Sequence, residues 1–125
     1  MRDVIATNDA PKAIGPYSQA IRANGLIFLS GQTPIDPATQ QLISGSIGEQ
    51  TERVLRNLEA VLKQAGSSMA KVVRCGVFLK DMNDFVAMNE VYGKFFPSNP
   101  PARTTIQAAK LPKDCQVEID AIALE

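Results

Sequence analysis

Along the chain, apolar residues recur with two different periods, and each change of period marks a change of element. From Ala20 to Ser30 (AIRANGLIFLS) two β-rich runs flank Asn24-Gly25. That dipeptide accepts the two positive φ angles of a type I′ turn, so the segment predicts a β-hairpin. A short strand is expected around Val4 to Ala6, leading into a turn at Gly15-Pro16. Gly31 to Thr39 carries Pro34 and Pro37, which have no amide hydrogen to give to a ladder, and reads as a loop. From Ser46 the period lengthens. Val54, Leu55, Leu58, Val61, Leu62 and Ala65 fall on one helical face, while Glu52, Arg53, Arg56, Glu59 and Lys63 take the other. Ser46 and Glu49 have capping-box spacing and Gly66 supplies a stop, so an amphipathic helix is expected from Ile47 to Ala65.

The second half repeats the alternation. Val72 to Leu79 (VVRCGVFL) reads as a strand, and the Asp81 to Asp84 cluster opens a second helix with Phe85, Met88, Tyr92 and Phe95 on one side. Pro97, Pro100 and Pro101 end it. Two strands follow, Arg103 to Ala109 and Cys115 to Leu124, joined by a turn at Leu111-Pro112-Lys113-Asp114. Mixed rather than strictly alternating elements predict an α+β fold, a mostly antiparallel sheet of about six strands with two helices on one face. The opposite face, expected to be rich in Ile, Val and Ala, would be wet in a monomer, so self-association is expected to cover it.

Composition narrows the chemistry. The 125 residues and 13.5 kDa suit one domain, residues 1–125, and 45% hydrophobic residues supply a core without metal or disulfide staples. Thirteen basic residues offset thirteen acidic ones, which disfavours a nucleic-acid or membrane-surface binder and points to a small-molecule partner. The chain has no His, so the imidazole base, the Ser/His and Cys/His nucleophile pairs and the commonest zinc ligand are all missing. Cys75 and Cys115 lack CxxC spacing and read as buried, reduced thiols in a cytoplasmic protein. No apolar run approaches the ~20 residues of a membrane span. A targeting segment already removed would leave no trace in this sequence.

Two polar positions then stand out. From Cys115 to Ala121 residues alternate, with Val117, Ile119 and Ala121 on one face and Gln116, Glu118 and Asp120 on the other. An acidic strand face is ordinarily just solvated, and an exposed Arg is ordinarily half of a weak ion pair. Arg103, however, follows the stiff Pro100-Pro101-Ala102 segment. If the Leu111–Asp114 turn is symmetric, Gln107 faces Glu118, and Arg103, Thr105, Gln107 and Glu118 share one face. Arg103 and Glu118 then stand about 13 Å apart at strand rise, too far for one small ligand to touch both within a chain. A site completed across a subunit boundary resolves that distance.

The segment PPARTTIQAAKLPKDCQVEIDAIAL, with GPYSQAI at Gly15 to Ile21 and SGQTP at Ser30 to Pro34, resembles the motifs of the Rid family, the reactive-intermediate deaminases also called YjgF-like proteins. The resemblance implies a chorismate-mutase-like α+β subunit assembled as a homotrimer, its sheets forming a central barrel with ligand sites between subunits. It implies hydrolysis of 2-imino and 2-enamino acids to 2-oxo acids and ammonia, with no metal and no organic cofactor. Carried over by position, Arg103 resembles the arginine that grips the substrate carboxylate, and Glu118 the glutamate that positions the attacking water. Tyr17 is similar to a tyrosine that enters the site from an adjacent chain. Gly31 matches the loop glycine bordering the ligand, though a turn glycine needing positive φ would look the same. Asn89 matches a helix asparagine near the cleft. Thr104-Thr105 departs from the common Ser-Cys pair, so no thiol can act at position 105; Thr105 can still offer a main-chain amide, but has no base to make it a nucleophile. A non-catalytic sensor of 2-oxo acids, and a ribonuclease or translation inhibitor, are the alternative readings.

Overall fold

The computed structural model describes residues 2–125. Three strands open the chain, β1 (Arg2–Ile5), β2 (Ala20–Ala23) and β3 (Leu26–Gln32), each antiparallel to the one before. Asn24 (φ 54°) and Gly25 (φ 79°) make the tight β2–β3 turn with two positive φ angles, as the Asn-Gly pair predicts. Helix α1 (Ile47–Gln64) starts where Ser46 Oγ accepts from the Glu49 amide at 3.2 Å and Glu49 Oε1 accepts from the Ser46 amide at 3.0 Å. Strand β6 (Val72–Leu79), helix α2 (Phe85–Phe95), strand β7 (Ala102–Gln107) and strand β8 (Val117–Leu124) complete the order. Val54, Leu55, Leu58, Val61 and Leu62 of α1 and Met88 and Tyr92 of α2 share one core with Val77 and Leu79 of β6 and Val117, Ile119, Ala121 and Ala123 of β8. Both helices therefore cover the same face of the sheet, as expected.

Two readings from the sequence are corrected. The Gly31–Thr39 stretch is only partly loop. Gly31 and Gln32 end β3, and β4 (Ile35–Asp36) pairs with β5 (Gln41–Leu42) in a separate two-stranded ribbon. Pro34 and Pro37 flank the two residues that need ladder amides, so they limit the ribbon without preventing it.

The larger correction concerns the last two strands, which do not pair with each other. The sheet order is β1-β2-β3-β8-β6-β7: β8 lies between β3 and β6, antiparallel to both, and β7 is an edge strand parallel to β6. The α2 crossover dictates this, because a helix between two strands returns the second strand parallel to the first. At Pro112–Asp114 the chain makes a 3-10 turn in which Lys113 (φ 54°) and Asp114 (φ 57°) are left-handed, carrying it past β6 into the middle of the sheet. Gln107 is therefore opposite Leu79, and Glu118 opposite Phe78. Arg103 pairs with Cys75 and Thr105 with Val77, on the helix-covered side, while Glu118 is on the open side. The expected single polar strip does not exist. The open side carries Val and Ile as expected, with Ala23 and Ala102 also on it, while Ala20, Ala121 and Ala123 are buried beneath the helices. A row of Val4, Ile21, Phe28 and Ile122 crosses the open side, with Asp120 and Glu118 in the rows beyond it.

Candidate functional site

Glu118 owes its position to strand parity and to a defect in the neighbouring strand. On β3, Leu29 faces Ala121 and Gln32 faces Ile119, so three steps along β3 span two along β8 and one residue bulges at Ser30-Gly31. The bulge presses main chain against the carboxylate. A Cβ built at Gly31 would overlap Glu118 Oε2 and lie 3.0 Å from Glu118 Cδ. Gly31 is thus a glycine of close approach; it is not among the glycines with positive φ, which corrects the turn reading. Glu118 and Gly31 line a cleft of about 540 Å³ with Tyr17, Ile14, Ile35 and Pro112. Tyr17, half exposed, receives a hydrogen bond on its hydroxyl from the Ile14 amide at 3.3 Å. Burial first, and then the neighbouring Asp120 charge, push the Glu118 carboxyl above the usual carboxylate range. Asp120 is itself fixed: its Oδ1 accepts from the Gly76 amide at 2.9 Å, and a Cβ on Gly76 would stand 2.6 Å from that oxygen.

The geometry at Gly31 supports an immediate prediction. In Gly31→Ala the new methyl must displace the flexible carboxylate, so kcat for any reaction using Glu118 should fall by more than ~10-fold. The melting temperature should stay within about 3 °C, since the yielding group is a side-chain tip. Steady-state kinetics alongside thermal unfolding check both halves, and a fully active Gly31→Ala protein would contradict the contact.

Arg103 occupies a second hollow, of about 490 Å³, that it lines with Asn89, Tyr92, Pro100 and Pro101. Its Nη1 donates to Asn89 Oδ1 at 2.8 Å, and its guanidinium carbon lies 4.8 Å from the Tyr92 ring centre and 5.5 Å from that of Phe85. Those contacts hold one edge of the fork and leave the rest of its donors for an anion. Burial, reinforced by the nearby Cys75, keeps the Tyr92 phenol protonated above its ordinary range. Thr105 lies on the same face, its Oγ1 buried without a hydrogen-bond partner among the described residues. Cys75 is the cross-strand neighbour of Arg103, a proximity that 28 positions of sequence conceal. Burial pushes its thiol above the ordinary cysteine value, which suits a packing residue better than a nucleophile.

The structure therefore gathers Glu118, Gly31 and Tyr17 in one cleft and Arg103 and Asn89 in another, on opposite sides of the sheet, with Thr105 two residues along β7 from Arg103 on the same face but outside the hollow's lining. Phe85 and Tyr92 are not recognisable from sequence as seats for the arginine, because aromatic residues on a helical stripe read as core, which Tyr92 also is. Nor are Ile14, Ile35 and Pro112 recognisable as cleft walls, because each lies in chain that reads as loop or turn. Among the described residues, no group of three His, Cys, Asp or Glu converges to hold a metal ion, and no helix is long and apolar enough to cross a membrane.

Comparison with known proteins bears on this geometry. Residues 7–125 match the family model described as Endoribonuclease L-PSP. A Pyrococcus horikoshii protein named as a RutC family member is 51% identical over 123 residues, which cover 98% of each chain. The human protein named 2-iminobutanoate/2-iminopropanoate deaminase is 46% identical over 125 residues, covering all of this chain and 91% of that one. The crystal structure of RidA from an Antarctic Psychrobacter superposes with a TM-score of 0.94 at 39% identity, over 98% of this chain and 99% of the other.

Proposed function

Since the chain belongs to the L-PSP family, also called the YjgF/Rid family, we propose that it hydrolyses reactive 2-imino and 2-enamino acids to 2-oxo acids and ammonia, without a metal or organic cofactor. The observation that carries the reading is Glu118, a half-buried carboxylate with a raised pKa at the floor of a cleft sized for a small molecule. Its support from relatives is the human protein named 2-iminobutanoate/2-iminopropanoate deaminase.

The two half-sites shape the mechanism. Arg103 and Glu118 face opposite sides of one sheet, so a substrate that uses both must lie between copies, with Arg103 from one chain and Glu118 from another. We propose a homotrimer for this reason, and because the Val4–Ile21–Phe28–Ile122 row offers an apolar surface for such contacts. Arg103 receives the substrate carboxylate and fixes the plane of C2. Glu118 accepts a hydrogen bond from one water, takes its proton as oxygen bonds to C2, and returns a proton as the C–N bond breaks and ammonia leaves. Imine and water give 2-oxo acid and ammonia, with no electron transferred. Imines hydrolyse slowly in water unaided, so alignment of one water and one carboxylate is a sufficient catalytic device. Tyr17 would border the same cleft, Gly31 the carboxylate, Asn89 the arginine, and the Thr105 main chain the substrate.

The test generates imines with an amino-acid oxidase and follows their disappearance with and without this protein. Loss faster than in buffer is expected, from a species whose mass is three times the 13.5 kDa chain. An unaccelerated decay would reject the activity, and an active monomer would reject the shared site.

A further inference from the structure

One wall of the Glu118 cleft is made by Thr33 and Ile35, where the chain leaves β3 for the two-residue strand β4. A ribbon of only two residue pairs, bounded by Pro34 and Pro37, has little ladder of its own to fix that wall. Its anchor comes from α1. Asn57 is fully buried on the helix face that otherwise carries Val54, Leu55, Leu58, Val61 and Leu62. Its Nδ2 donates to the Thr33 carbonyl at 3.2 Å and to the Ile35 carbonyl at 2.9 Å. Its Oδ1 has no hydrogen-bond partner among the described residues. An amide with an orphaned oxygen is a costly occupant for an apolar stripe that Leu would extend, so packing does not account for it. What Asn57 does is hold Ile35, 8% exposed, against the cleft.

We propose that Ile35 is a specificity-determining residue that receives an aliphatic substrate side chain, and that Asn57 is the positioning residue that keeps it there. The inference rests on the deaminase reading, which accounts for two of the three substituents on C2: the carboxylate goes to Arg103, and the nitrogen leaves on the side of the water held by Glu118. The third substituent is the side chain, and Ile35, Ile14 and Pro112 give it an apolar wall. An acidic side chain would find Lys113 at the exposed rim but would lie beside Glu118, which repels it.

Calorimetric binding of 4-methyl-2-oxopentanoate, pyruvate and 2-oxoglutarate, run beside turnover of the leucine- and alanine-derived imines, tests this. The wild type should bind 4-methyl-2-oxopentanoate about ten-fold more tightly than pyruvate. Ile35→Ala should shrink that preference to about two-fold, the loss falling mainly on 4-methyl-2-oxopentanoate. Asn57→Ala should do the same and raise KM for the leucine-derived imine, while kcat for the alanine-derived imine stays within about two-fold. If Asn57→Ala does not fold, Ile35→Ala alone decides. Equal losses on long and short ligands, an unaltered preference in Ile35→Ala, or tighter binding of 2-oxoglutarate would each overturn the assignment. Preferential binding without any wild-type turnover would reject the deaminase reading and leave the wall assignment standing.

Discussion

Replacing Arg103 by Ala is expected to lower kcat/KM for imine hydrolysis by more than ~30-fold, equivalent to ~2 kcal/mol of transition-state stabilisation. Arg103→Lys should recover little of the loss. A lysine carries the charge, but as one compact ammonium it cannot donate two parallel bonds to a carboxylate while keeping the Asn89 contact, nor lie flat over the Tyr92 and Phe85 rings. The defect should appear in both kcat and KM, because the carboxylate contact binds the substrate and also sets the plane in which water reaches C2. Folding should survive the change. Arg103 is on an edge strand, and its ion-pairing face opens onto a hollow rather than the core. Urea unfolding with an unchanged m-value checks that half, and steady-state kinetics the other. A folded Arg103→Ala protein with near wild-type turnover would remove the reason for placing the substrate carboxylate here.

What could be read ahead of the structure was whatever local chemistry determines. The Asn24-Gly25 turn, the Ser46–Glu49 cap and the apolar stripe of α1 depend on residues within a few positions of one another, and each appears where the sequence puts it. Strand pairing depends on distant partners. Leu111-Pro112-Lys113-Asp114 has the composition of a hairpin turn, yet β7 and β8 are not neighbours. A clue was present: ARTTIQ is polar enough for an edge, whereas VEIDAIAL is apolar on one face throughout and on the other from Ile122 onward, which suits a strand flanked on both sides. Because one wrong pairing reverses the faces of a whole strand, it joined Arg103 and Glu118 in a single strip. The sequence-based conclusion that one chain cannot bring both to one ligand nonetheless stands, for the stronger reason that they face opposite ways. The role of Gly31 was hidden for a similar reason. A bulge and a carboxylate 87 positions away together explain a glycine that, on its own, reads as a turn.

Glu118→Gln should separate binding from chemistry, and pH should separate its effect on activity from its effect on stability. The amide keeps the size of the carboxyl and can still accept a hydrogen bond, so affinity for 2-oxo acids should change by less than about three-fold, while kcat falls by about a hundred-fold with the loss of the proton acceptor. Turnover undiminished in Glu118→Gln would assign the water to another group; turnover absent in both proteins with binding intact would favour a sensor. The acid limb of the wild-type rate, taken above the spontaneous decay, should lie above the ordinary carboxylate value of 4.5, because burial and Asp120 raise the Glu118 pKa. The stability effect has the opposite sign to that of a salt-bridged acid. A raised folded pKa means that the native state binds the Glu118 proton more tightly than the unfolded chain does, so its contribution to stability is greatest below the unfolded pKa and is lost as pH rises through the folded one. At neutral pH the ionised carboxylate is thus a cost to the fold, and Glu118→Gln should melt higher than the wild type at pH 7, with the gap closing towards pH 4. A variant that melts lower at pH 7 would show that the carboxylate is stabilised in the assembled protein, as a neighbouring chain's arginine would do, and would move the catalytic argument from desolvation to the Arg103–Glu118 pair.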